Sequence, residues 1–547
     1  MNAFLSKSSH LLILLSIIFF ACCIGLGSWG LTETSESRYA QISKEMYDSG
    51  DYMHPRLMDV YHYHKPPLTY QITALGYKIF GVNEFGARIF MQIALLIQLL
   101  LVFMIASLIF ENRNKAIMSA LIYFSIPLVL ISVRNLTTDA YLNTLVLASL
   151  FFWLKQTKHP GKKYLLYAFF ICLGLIMNTK GPVGLIFPVL FIISYKLIYN
   201  QKIRFDIHSL IGLILFVVLS IGWTLLLLKQ NPAMLDYFLD EQILRRINSK
   251  SYNRSKPFWF YLITFPIAIL PWIWPTINGI FRGLFKKKKT DKKSKLLAVN
   301  LILIVFIFSL FSTKLILYIL PVSLFVALIS AQSIFNLSSK HKNILKVILA
   351  TLTGLILLGL FFLPLMDKKY EVNYIHASVV ALLIIASTIV VIKRSKDQNG
   401  QIMFLAVVFG LNLLFCSTIF LKSNDLHINS VKRVMTYIQN TKELKDRQII
   451  VHNYLLPSAA FYSNQKIITL NKGHNTVQRD MRFQNDASWK DYLIDIQNDD
   501  GLQRLNALME KPVILLVRRR GDNIESSKLF ENKGFKMIDF DKWVIYY

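Results

Sequence analysis

The chain has 547 residues, of which 54% are hydrophobic, and this share excludes an ordinary soluble protein of that length. The net charge of +29 would suggest nucleic-acid binding in a soluble protein, but here the basic residues lie mostly in short loops between apolar runs, so we predict no nucleic-acid partner. The cysteines Cys22, Cys23, Cys172 and Cys416 all lie within apolar runs, which disfavours both a disulfide framework and a zinc–thiolate site.

Apolar runs long enough to cross a membrane recur along the first 425 residues. We predict about 13 transmembrane helices, which start near residues 10, 89, 115, 138, 163, 182, 207, 259, 296, 314, 345, 374 and 402. The first run, at residues 10–30, lacks a clean small-x-small cleavage site, so we interpret it as a retained helix rather than a signal peptide. The sequence therefore predicts a polytopic α-helical membrane protein.

The loops between the predicted spans differ in charge. Basic loops such as ENRNK, KQTKHPGKK and the run at residues 281–295 all fall on one side. The positive-inside rule makes that side cytoplasmic, which also places the N-terminus inside. An odd number of spans then places the loops at 31–88 and 229–258, and the C-terminal segment, on the outer side.

The C-terminal segment, residues 426–547, has a different pattern. The strand-like runs QIIVHNY, KIITLN and PVILLVRRR alternate with helix-like stretches such as SVKRVMTYIQNTK. This alternation predicts a small α/β domain, and about 120 residues suffice for one core. The segment contains no GxGxxG motif and no metal-ligand spacing, so we expect a structural or substrate-guiding role.

The outer loop at residues 31–88 begins with an amphipathic helix. Residues 36–47 have helical propensity, and Tyr39, Ile42 and Met46 share one face that can lie on the membrane surface. We therefore expect amphipathic helices in this loop, with Tyr39 as a candidate substrate contact.

Charged residues cluster where the first span meets that helix. The carboxylates of Glu33 and Glu36, beside Arg38, suit general-base chemistry or cation binding at a membrane interface. The alternative is an ordinary capped and solvated amphipathic helix. The residue types leave both interpretations open.

Lys65 precedes Pro66 and Pro67 in the stretch HYHKPPLTY. Because proline disfavours helix for the residue before it, we expect Lys65 in an extended elbow at the interface. A fixed ammonium group there can pair with a lipid phosphate. The alternative is a snorkelling lysine without a ligand.

Further polar residues lie at the ends of predicted spans, and Lys314 and Tyr318 share a helix face because they are four residues apart. These candidates are Asp139, Lys180, Arg245, Arg246, Lys314 and Tyr318. Several basic residues on the face where the positive-inside rule does not expect them indicate an anionic ligand. A polyprenyl phosphate or a lipid head-group phosphate fits, whereas a soluble nucleotide is absent from that compartment.

Four stretches together resemble a known family. SESRYAQISKEMYDSGDY is similar to the motif D-E-x-R-Y-A-E-I-x-R-E-M-x-x-S-G-D-W, and YHYHKPPLTYQITALGYKIFGVNEFGAR is similar to F-E-K-P-P-L-x-Y-W…F-G-x-x-x-F-x-x-R. NTKGPVGLIFPVL and STKLILYILP resemble T-K-G-x-x-x-x-x-x-P and G-K-L-P-x-Y-I-L-P. The family is that of integral-membrane glycosyltransferases of GT-C fold, which includes the ArnT-like aminoarabinose transferases of lipid A and the protein mannosyltransferases.

The resemblance implies an inverting hexosyl- or pentosyltransferase that uses a polyprenyl-phosphate-linked sugar at the outer face of the bacterial cytoplasmic membrane. An acidic pair after the first span would supply the general base for the acceptor, and fixed cations would meet the charge on the leaving phosphate. Arg38 and Lys65 match the phosphate-contacting arginine and lysine, and Tyr318 matches the tyrosine of the later motif, beside Lys314.

Two positions depart from the family pattern. The first acid of the D-E pair falls on Ser35, which leaves Glu36 as our first candidate base, followed by Glu33 and His64. His64 itself replaces the glutamate of E-K-P-P, which helps to bind a metal in the aminoarabinose branch together with a histidine of the later outer loop. Residues 229–258 contain no histidine, so the motifs support neither a metal nor another cofactor, and a divalent metal stays an open alternative.

Taken together, we predict a transmembrane glycosyltransferase domain at residues 1–425 and a soluble periplasmic α/β domain at residues 426–547. The expected partners are the polyprenyl-phosphate sugar, membrane lipids and an envelope acceptor, which is a lipid A-like glycolipid, another glycan or a protein. We expect a monomer. The alternatives are a transporter or flippase of lipid-linked sugars and a degenerate relative without activity, the latter because of Ser35.

Overall fold

The computed structural model describes residues 8–202, 205–237, 255–285, 291–463, 465–479, 481–484, 486–519 and 534–547. The chain forms two compact units. One, which we call the helical unit, comprises the described residues up to Leu26, the segment His64–Leu68 and the segment Ile89–Phe420. The other, which we call the sheet unit, comprises Gly27–Tyr63, Thr69–Arg88 and Leu421–Tyr547.

Helices of six or more residues account for most of the described chain. They are α1 Ser8–Cys23, α2 Ser35–Ser49, α3 Leu68–Phe80, α4 Glu84–Phe110, α5 Arg113–Phe124, α6 Pro127–Arg134, α7 Thr138–Lys158, α8 Lys163–Lys180, α9 Ile186–Tyr199, α10 Ile207–Gln230, α11 Phe260–Ala268, α12 Ile273–Phe285, α13 Lys292–Leu310, α14 Val322–Phe335, α15 Ser339–Met366, α16 Tyr374–Arg394, α17 Gln398–Ser423, α18 Lys432–Asn440, α19 Pro457–Tyr462 and α20 Asp499–Met509. Short 3₁₀ segments, Pro182–Leu185 and Ile316–Ile319, lead into α9 and α14.

The predicted polytopic α-helical membrane protein is confirmed. Judged by length and composition, fewer helices qualify as membrane spans than predicted. A helix begins near each of the predicted starts. In the described part of the chain, seven helices are long and apolar enough to cross a membrane, and two bent pairs raise this number to nine. The number is lower than about 13 because α1 and α14 are shorter, and because α7 and α8 carry lysines and other polar residues.

Proline marks the break in both bent pairs. Helices α5 and α6 meet at 57°, and Pro127 begins α6. Helices α11 and α12 meet at 116°, with Pro271 in the break between them. Since proline cannot donate the backbone hydrogen bond that would continue a helix, each apolar run is divided into two shorter helices.

Buried polar side chains join three helices of the helical unit. The Tyr123 hydroxyl donates to Gln98 Oε1 at 2.8 Å, and Asn143 Nδ2 donates to the Tyr123 oxygen at 2.5 Å. Gln98 Nε2 donates to the Ala140 carbonyl at 2.9 Å. These bonds connect α4, α5 and α7 within the apolar core, as interhelical hydrogen bonds do in membrane proteins.

The sheet unit contains a six-stranded sheet in the order β5-β4-β3-β6-β8-β7 and a separate hairpin of β1 and β2. The strands are β1 Arg56–Leu57, β2 Val60–Tyr61, β3 Gln448–His452, β4 Ile468–Asn471, β5 Leu493–Asp495, β6 Val513–Arg518, β7 Met537–Phe540 and β8 Trp543–Tyr546. Strands β3 to β6 pair in parallel, while β8 pairs antiparallel with β6 and β7. The predicted α/β character of the C-terminal segment is confirmed, and all three strand-like runs contain a strand.

Both faces of the sheet are covered. Ile449 and Val451 of β3 pack into one apolar cluster with Val434 and Met435 of α18, and Ile450 packs into a second cluster with Leu505 of α20. Residues alternate between the two faces because successive side chains of a strand point in opposite directions. Parallel strands covered on both faces are apolar throughout, which explains the run VILLV.

The loop after the first span belongs to the same unit as the C-terminal segment. Ile42 and Met46 of α2 pack with Tyr70 of α3 and with Leu455, which follows β3. Helix α2 confirms the predicted helix at residues 36–47 and ends at Gly50, whose φ of 70° is the left-handed conformation that glycine adopts readily.

Candidate active site

Glu36 forms a fully buried ion pair with Arg88 in the sheet unit. Arg88 Nε donates to Glu36 Oε1 at 2.8 Å, and Arg88 Nη2 donates to Oε2 at 3.0 Å. The Thr32 N–H and hydroxyl also donate to Oε2, at 2.9 and 3.0 Å. Both oxygens of the first candidate base are therefore already engaged by the protein.

Arg88 connects the start of α4 to the end of the first apolar run. Its Nη1 donates to the Trp29 carbonyl at 3.0 Å, its Nη2 donates to the Gly30 carbonyl at 3.1 Å, and its guanidinium lies 4.3 Å from the centre of the Trp29 ring. A buried ion pair offsets the cost of removing its charges from water when the arginine is bidentate and its other donors have partners, as the carbonyls and the aromatic ring provide here. Glu36 and Arg88 together hold the loop that carries the other acidic residue.

Glu33 is held differently. Its Oε2 accepts from the Ser37 hydroxyl at 2.5 Å, and its Oε1 accepts from the backbone N–H of Ser458 at 2.9 Å. Burial raises the pKa of the Glu33 carboxyl to about 6, against the hydrogen bonds from Ser37 and Ser458 and the nearby charge of Arg38. A carboxyl with a pKa close to the working pH suits general-base catalysis.

Arg38 lies on α2 beside Glu33, and its Nε is buried without a hydrogen-bond partner among the described residues. The Nε of Arg479, in the segment after β4, is likewise buried without a hydrogen-bond partner among the described residues. Its Nη1 donates to the Leu57 carbonyl at 3.2 Å. Tyr39 is half-buried, with its ring 5.4 Å from that of Tyr70. This part of the sheet unit therefore combines a carboxyl of raised pKa with guanidinium groups that the protein does not fully satisfy.

In the helical unit, Asp139, Lys180 and Tyr318 are brought together. Lys180 Nζ forms an ion pair with Asp139 Oδ1, and the same ammonium lies 4.4 Å from the centre of the Tyr318 ring. Asp139 stands in the first turn of α7, where a carboxylate is favoured by the helix dipole. Three candidates from separate parts of the sequence thus form one cluster.

Lys314 is nearly fully buried, and its ammonium donates to the carbonyls of Lys256, at 2.9 Å, and Phe311. Tyr318 follows in the 3₁₀ segment Ile316–Ile319 rather than in a regular helix, so the expected i,i+4 spacing on one helix face is wrong. Lys314 therefore precedes the 3₁₀ segment that carries Tyr318, and backbone carbonyls accept hydrogen bonds from its ammonium.

The backbone at Lys65 is not helical, as the two prolines after it predict, while its extended conformation at the interface stays a prediction. Lys65 stands in a bend, α3 begins only at Leu68 after the two prolines, and the Lys65 side chain is half-buried. The His64 ring lies 6.3 Å from that of Tyr237 in the helical unit.

Arg245 and Arg246 lie outside the described residues. No group of three or more histidines, cysteines or acidic residues could hold a metal ion within the described ranges.

Three comparisons relate this chain to known proteins. A family model described as dolichyl-phosphate-mannose-protein mannosyltransferase matches residues 64–223. Two curated proteins named undecaprenyl phosphate-alpha-4-amino-4-deoxy-L-arabinose arabinosyl transferase 2 are each 28% identical: that of Proteus mirabilis over 60% of both chains, and that of Pseudomonas fluorescens strain Pf0-1 over 71% of both chains. The chain thus spans about 60% of the length of the Proteus mirabilis protein.

The crystal structure of ArnT from Cupriavidus metallidurans, bound to undecaprenyl phosphate, superposes on 99% of this chain and 98% of its own with a TM-score of 0.77, at 19% sequence identity. The protein has the ArnT fold. The resemblance to the GT-C membrane glycosyltransferases that the motifs indicate is confirmed.

Within this ArnT fold, sequence reasoning missed the partners of the acidic residues. Arg88 ends the motif F-G-x-x-x-F-x-x-R, and an arginine in the second turn of an apolar helix was a signal that it pairs with an acid. Ser458 and Arg479 stand in the C-terminal segment without a motif, and only the folded chain brings them to Glu33 and Arg38.

Proposed function

We propose that the protein is an inverting glycosyltransferase that moves a sugar from a polyprenyl-phosphate donor to a cell-envelope acceptor. The observation that carries this proposal is the Glu33 carboxyl, with a pKa of about 6, beside an arginine whose buried Nε has no partner in the described part of the chain. A base near neutrality next to an unsatisfied guanidinium suits a reaction that takes up a proton and releases a phosphate.

The donor class follows from the relatives and from the positive groups. The curated relatives are named for transfer of 4-amino-4-deoxy-L-arabinose from undecaprenyl phosphate, and the structure with the same fold contains undecaprenyl phosphate. Ser35 and His64 replace acids of the family pattern, which argues against assuming the same sugar. We therefore propose an undecaprenyl-phosphate-type donor with an unassigned sugar.

In the proposed reaction, the carboxylate of Glu33 accepts the proton of an acceptor hydroxyl. The acceptor oxygen forms a bond to the anomeric carbon while the bond from that carbon to the phosphate oxygen breaks, and the electron pair leaves on the phosphate. Attack opposite to the leaving group inverts the anomeric configuration. Fixed cations stabilise the charge that develops on the phosphate, and we propose Arg38, Lys65 and Tyr318 as its contacts.

Glu36 has a positioning role in this proposal. Its carboxylate is buried at 1% exposure and accepts four hydrogen bonds, so it is poorly placed to take up a proton from a substrate. We propose Glu33 as the base, with Glu36 and His64 as the alternatives that mutagenesis distinguishes. Asp139 and Lys180 are proposed substrate contacts, and Lys314 is proposed to orient Tyr318.

The remaining assignments are also proposals. The N-terminus is cytoplasmic and the C-terminal segment is periplasmic, as the charges of the loops favour. The acceptor is a lipid A-like glycolipid, another envelope glycan or a protein, and the enzyme acts as a monomer at the outer face of the bacterial cytoplasmic membrane. The proposed step is written without a cofactor, and a divalent metal stays the alternative.

A flippase of lipid-linked sugars is the second candidate, because two of the spans are broken, with bends of 57° and 116°. Broken helices surround the substrate site in many transporters. Clustering of ionisable residues on the loops at span ends, rather than within the spans, favours the transferase.

The test is transfer of label from a panel of radiolabelled undecaprenyl-phosphate sugars to envelope lipid, glycan and protein in membranes. Wild type is compared with Lys65→Ala and with Lys295→Ala, a control lysine in the first turn of α13. Transfer by wild type and by the control, with loss in Lys65→Ala, supports the proposal, and the labelled fraction identifies the acceptor. Movement of labelled donor across vesicles without any transfer would favour the flippase.

A further inference from the structure

The sheet unit contains three arginines with the same unusual feature. The Nε atoms of Arg38, Arg56 and Arg479 are buried, yet none has a hydrogen-bond partner in the described ranges. Arg56 is otherwise accommodated, since its Nη2 donates to the Tyr61 hydroxyl at 3.0 Å and its guanidinium lies 4.6 Å from the centre of that ring. Arg38 and Arg479 have no comparable aromatic support among these contacts.

Arg38 and Arg479 are close enough to repel each other. Burial and the positive charge of Arg38 lower the pKa of Arg479 to about 10, against the opposing charge of Glu45. Glu45 gives little compensation, because its carboxylate accepts from Gln41 Nε2 at 2.8 Å and from the Met58 N–H at 2.6 Å. Two like charges that are partly removed from water are costly unless an anion joins them.

The main chain holds Arg479 at this position. Arg479 Nη1 donates to the carbonyl of Leu57 in the β1–β2 hairpin at 3.2 Å. Four residues further on, the Phe483 ring packs edge-on against Tyr63, with 5.8 Å between the ring centres. The arginine is therefore anchored through one nitrogen, while its Nε remains unsatisfied. A purely structural arginine in a buried place normally has its donors satisfied.

We propose that Arg479 of the C-terminal segment and Arg38 of α2 together bind the phosphate group of the lipid-linked donor. This inference rests on the proposed transferase function. A guanidinium presents a planar fork of donors that matches phosphate oxygens, and two of them can meet both the single charge of the donor's phosphodiester and the second charge that develops as the sugar leaves and a phosphate monoester forms. The C-terminal segment would then contribute a substrate contact in addition to its structural role.

The first test measures binding without turnover. Full-length protein in nanodiscs is titrated with undecaprenyl phosphate, with undecaprenol as the matched lipid that lacks phosphate, and with inorganic phosphate. The variants are Arg479→Gln, Arg479→Lys and the control Arg504→Gln, whose guanidinium pairs with Asp491 in the same unit. We expect Arg479→Gln to weaken undecaprenyl phosphate binding about 10- to 100-fold, Arg479→Lys to weaken it less, and Arg504→Gln to have no effect.

Thermal stability separates a ligand contact from a structural one. Without ligand, Arg479→Gln should be at least as stable as wild type, because it removes one of two repelling charges. Undecaprenyl phosphate should then raise the melting temperature of wild type but not that of the variant. If Arg479→Gln unfolds the ligand-free protein while Arg479→Lys binds like wild type, Arg479 is structural and the proposal is wrong.

The other outcomes also decide the matter. Wild-type affinity of Arg479→Gln for undecaprenyl phosphate overturns the proposal, as does inorganic phosphate that binds as tightly as the lipid and with the same dependence on Arg479. In transfer assays, the KM for the donor should rise while that for the acceptor stays unchanged, and the opposite split would assign Arg479 to an acceptor phosphate instead. Arg479-dependent lipid binding without any sugar transfer would count against the proposed function and leave a lipid-phosphate site.

Discussion

Replacement of Glu33 by glutamine tests the proposed base most directly. Glutamine has nearly the same shape and can still accept from Ser37 or Ser458, but it cannot take up a proton. Loss of a general base typically slows a reaction by about 10²- to 10⁴-fold, and we expect Glu33→Gln to reduce transfer within that range. The fold should survive, since the raised pKa of about 6, compared with 4.5, means that ionised Glu33 costs at most about 2 kcal/mol.

Glu36→Gln should behave in the opposite way. This change leaves Arg88 buried beside a neutral partner, and breaking a buried ion pair costs about 3–5 kcal/mol. We expect a marked fall in melting temperature and in the yield of folded protein, with transfer per folded molecule reduced less than in Glu33→Gln. The contrast arises because Glu36 is 1% exposed and bidentate with Arg88, whereas Glu33 has no such cation within ion-pair distance among the described residues.

The assay is transfer of radiolabelled sugar by purified protein, normalised to the folded fraction from a thermal melt, for Glu33→Gln, Glu36→Gln and His64→Gln. Full transfer by Glu33→Gln would refute the assignment of the base. A folded and stable Glu36→Gln variant without transfer would move the base to Glu36, and loss in His64→Gln alone would move it to His64.

Three further predictions concern pH, the Lys180 cluster and the end of α2. Because Glu33 must be ionised to act, kcat/KM should rise about tenfold between pH 5 and pH 7, and a flat profile over that interval would contradict a base of pKa about 6. The same raised pKa stabilises the fold fully below its unfolded value and less as pH rises through about 6, so the melting temperature should fall slightly as activity appears. Lys180→Met should destabilise the protein, because it leaves the Asp139 carboxylate without its cation. The double variant Lys180→Met/Asp139→Asn should regain stability but not sugar transfer. If the double variant also regained transfer, the pair would be purely structural. Gly50→Ala should cost about 1 kcal/mol through its φ of 70° and leave transfer unchanged, measured by denaturant unfolding and the label assay.

Local sequence patterns predicted much of the fold. The runs QIIVHNY, KIITLN and PVILLVRRR became β3, β4 and β6 because each carries consecutive apolar residues bounded by polar ones. Helix α2 followed from the spacing of Tyr39, Ile42 and Met46, and the elbow at Lys65 followed from the two prolines after it. These features depend on interactions within a few residues, which is why sequence alone is sufficient for them.

The candidate site was only partly predictable. Glu33, Arg38 and Lys65 were found by residue type and motif, but the choice between Glu33 and Glu36 depends on contacts with Arg88, 52 residues later, and with Ser458, 425 residues later. The broken spans were not anticipated either, because hydropathy does not show whether an apolar run bends. Tyr318 was placed on a regular helix, whereas it lies in the 3₁₀ segment Ile316–Ile319.

The strand order β5-β4-β3-β6 reverses direction between β3 and β6, which is the crevice where doubly wound sheets generally receive an anion. Here the first helix after β3 donates its Ser458 N–H to the side chain of Glu33. The position at which such sheets bind a diffusible phosphate is thus occupied by a carboxylate of the same polypeptide. A chain truncated before β3 would keep every residue of the loop that carries Glu33, yet it would lose one of the two bonds that fix the direction of that carboxylate.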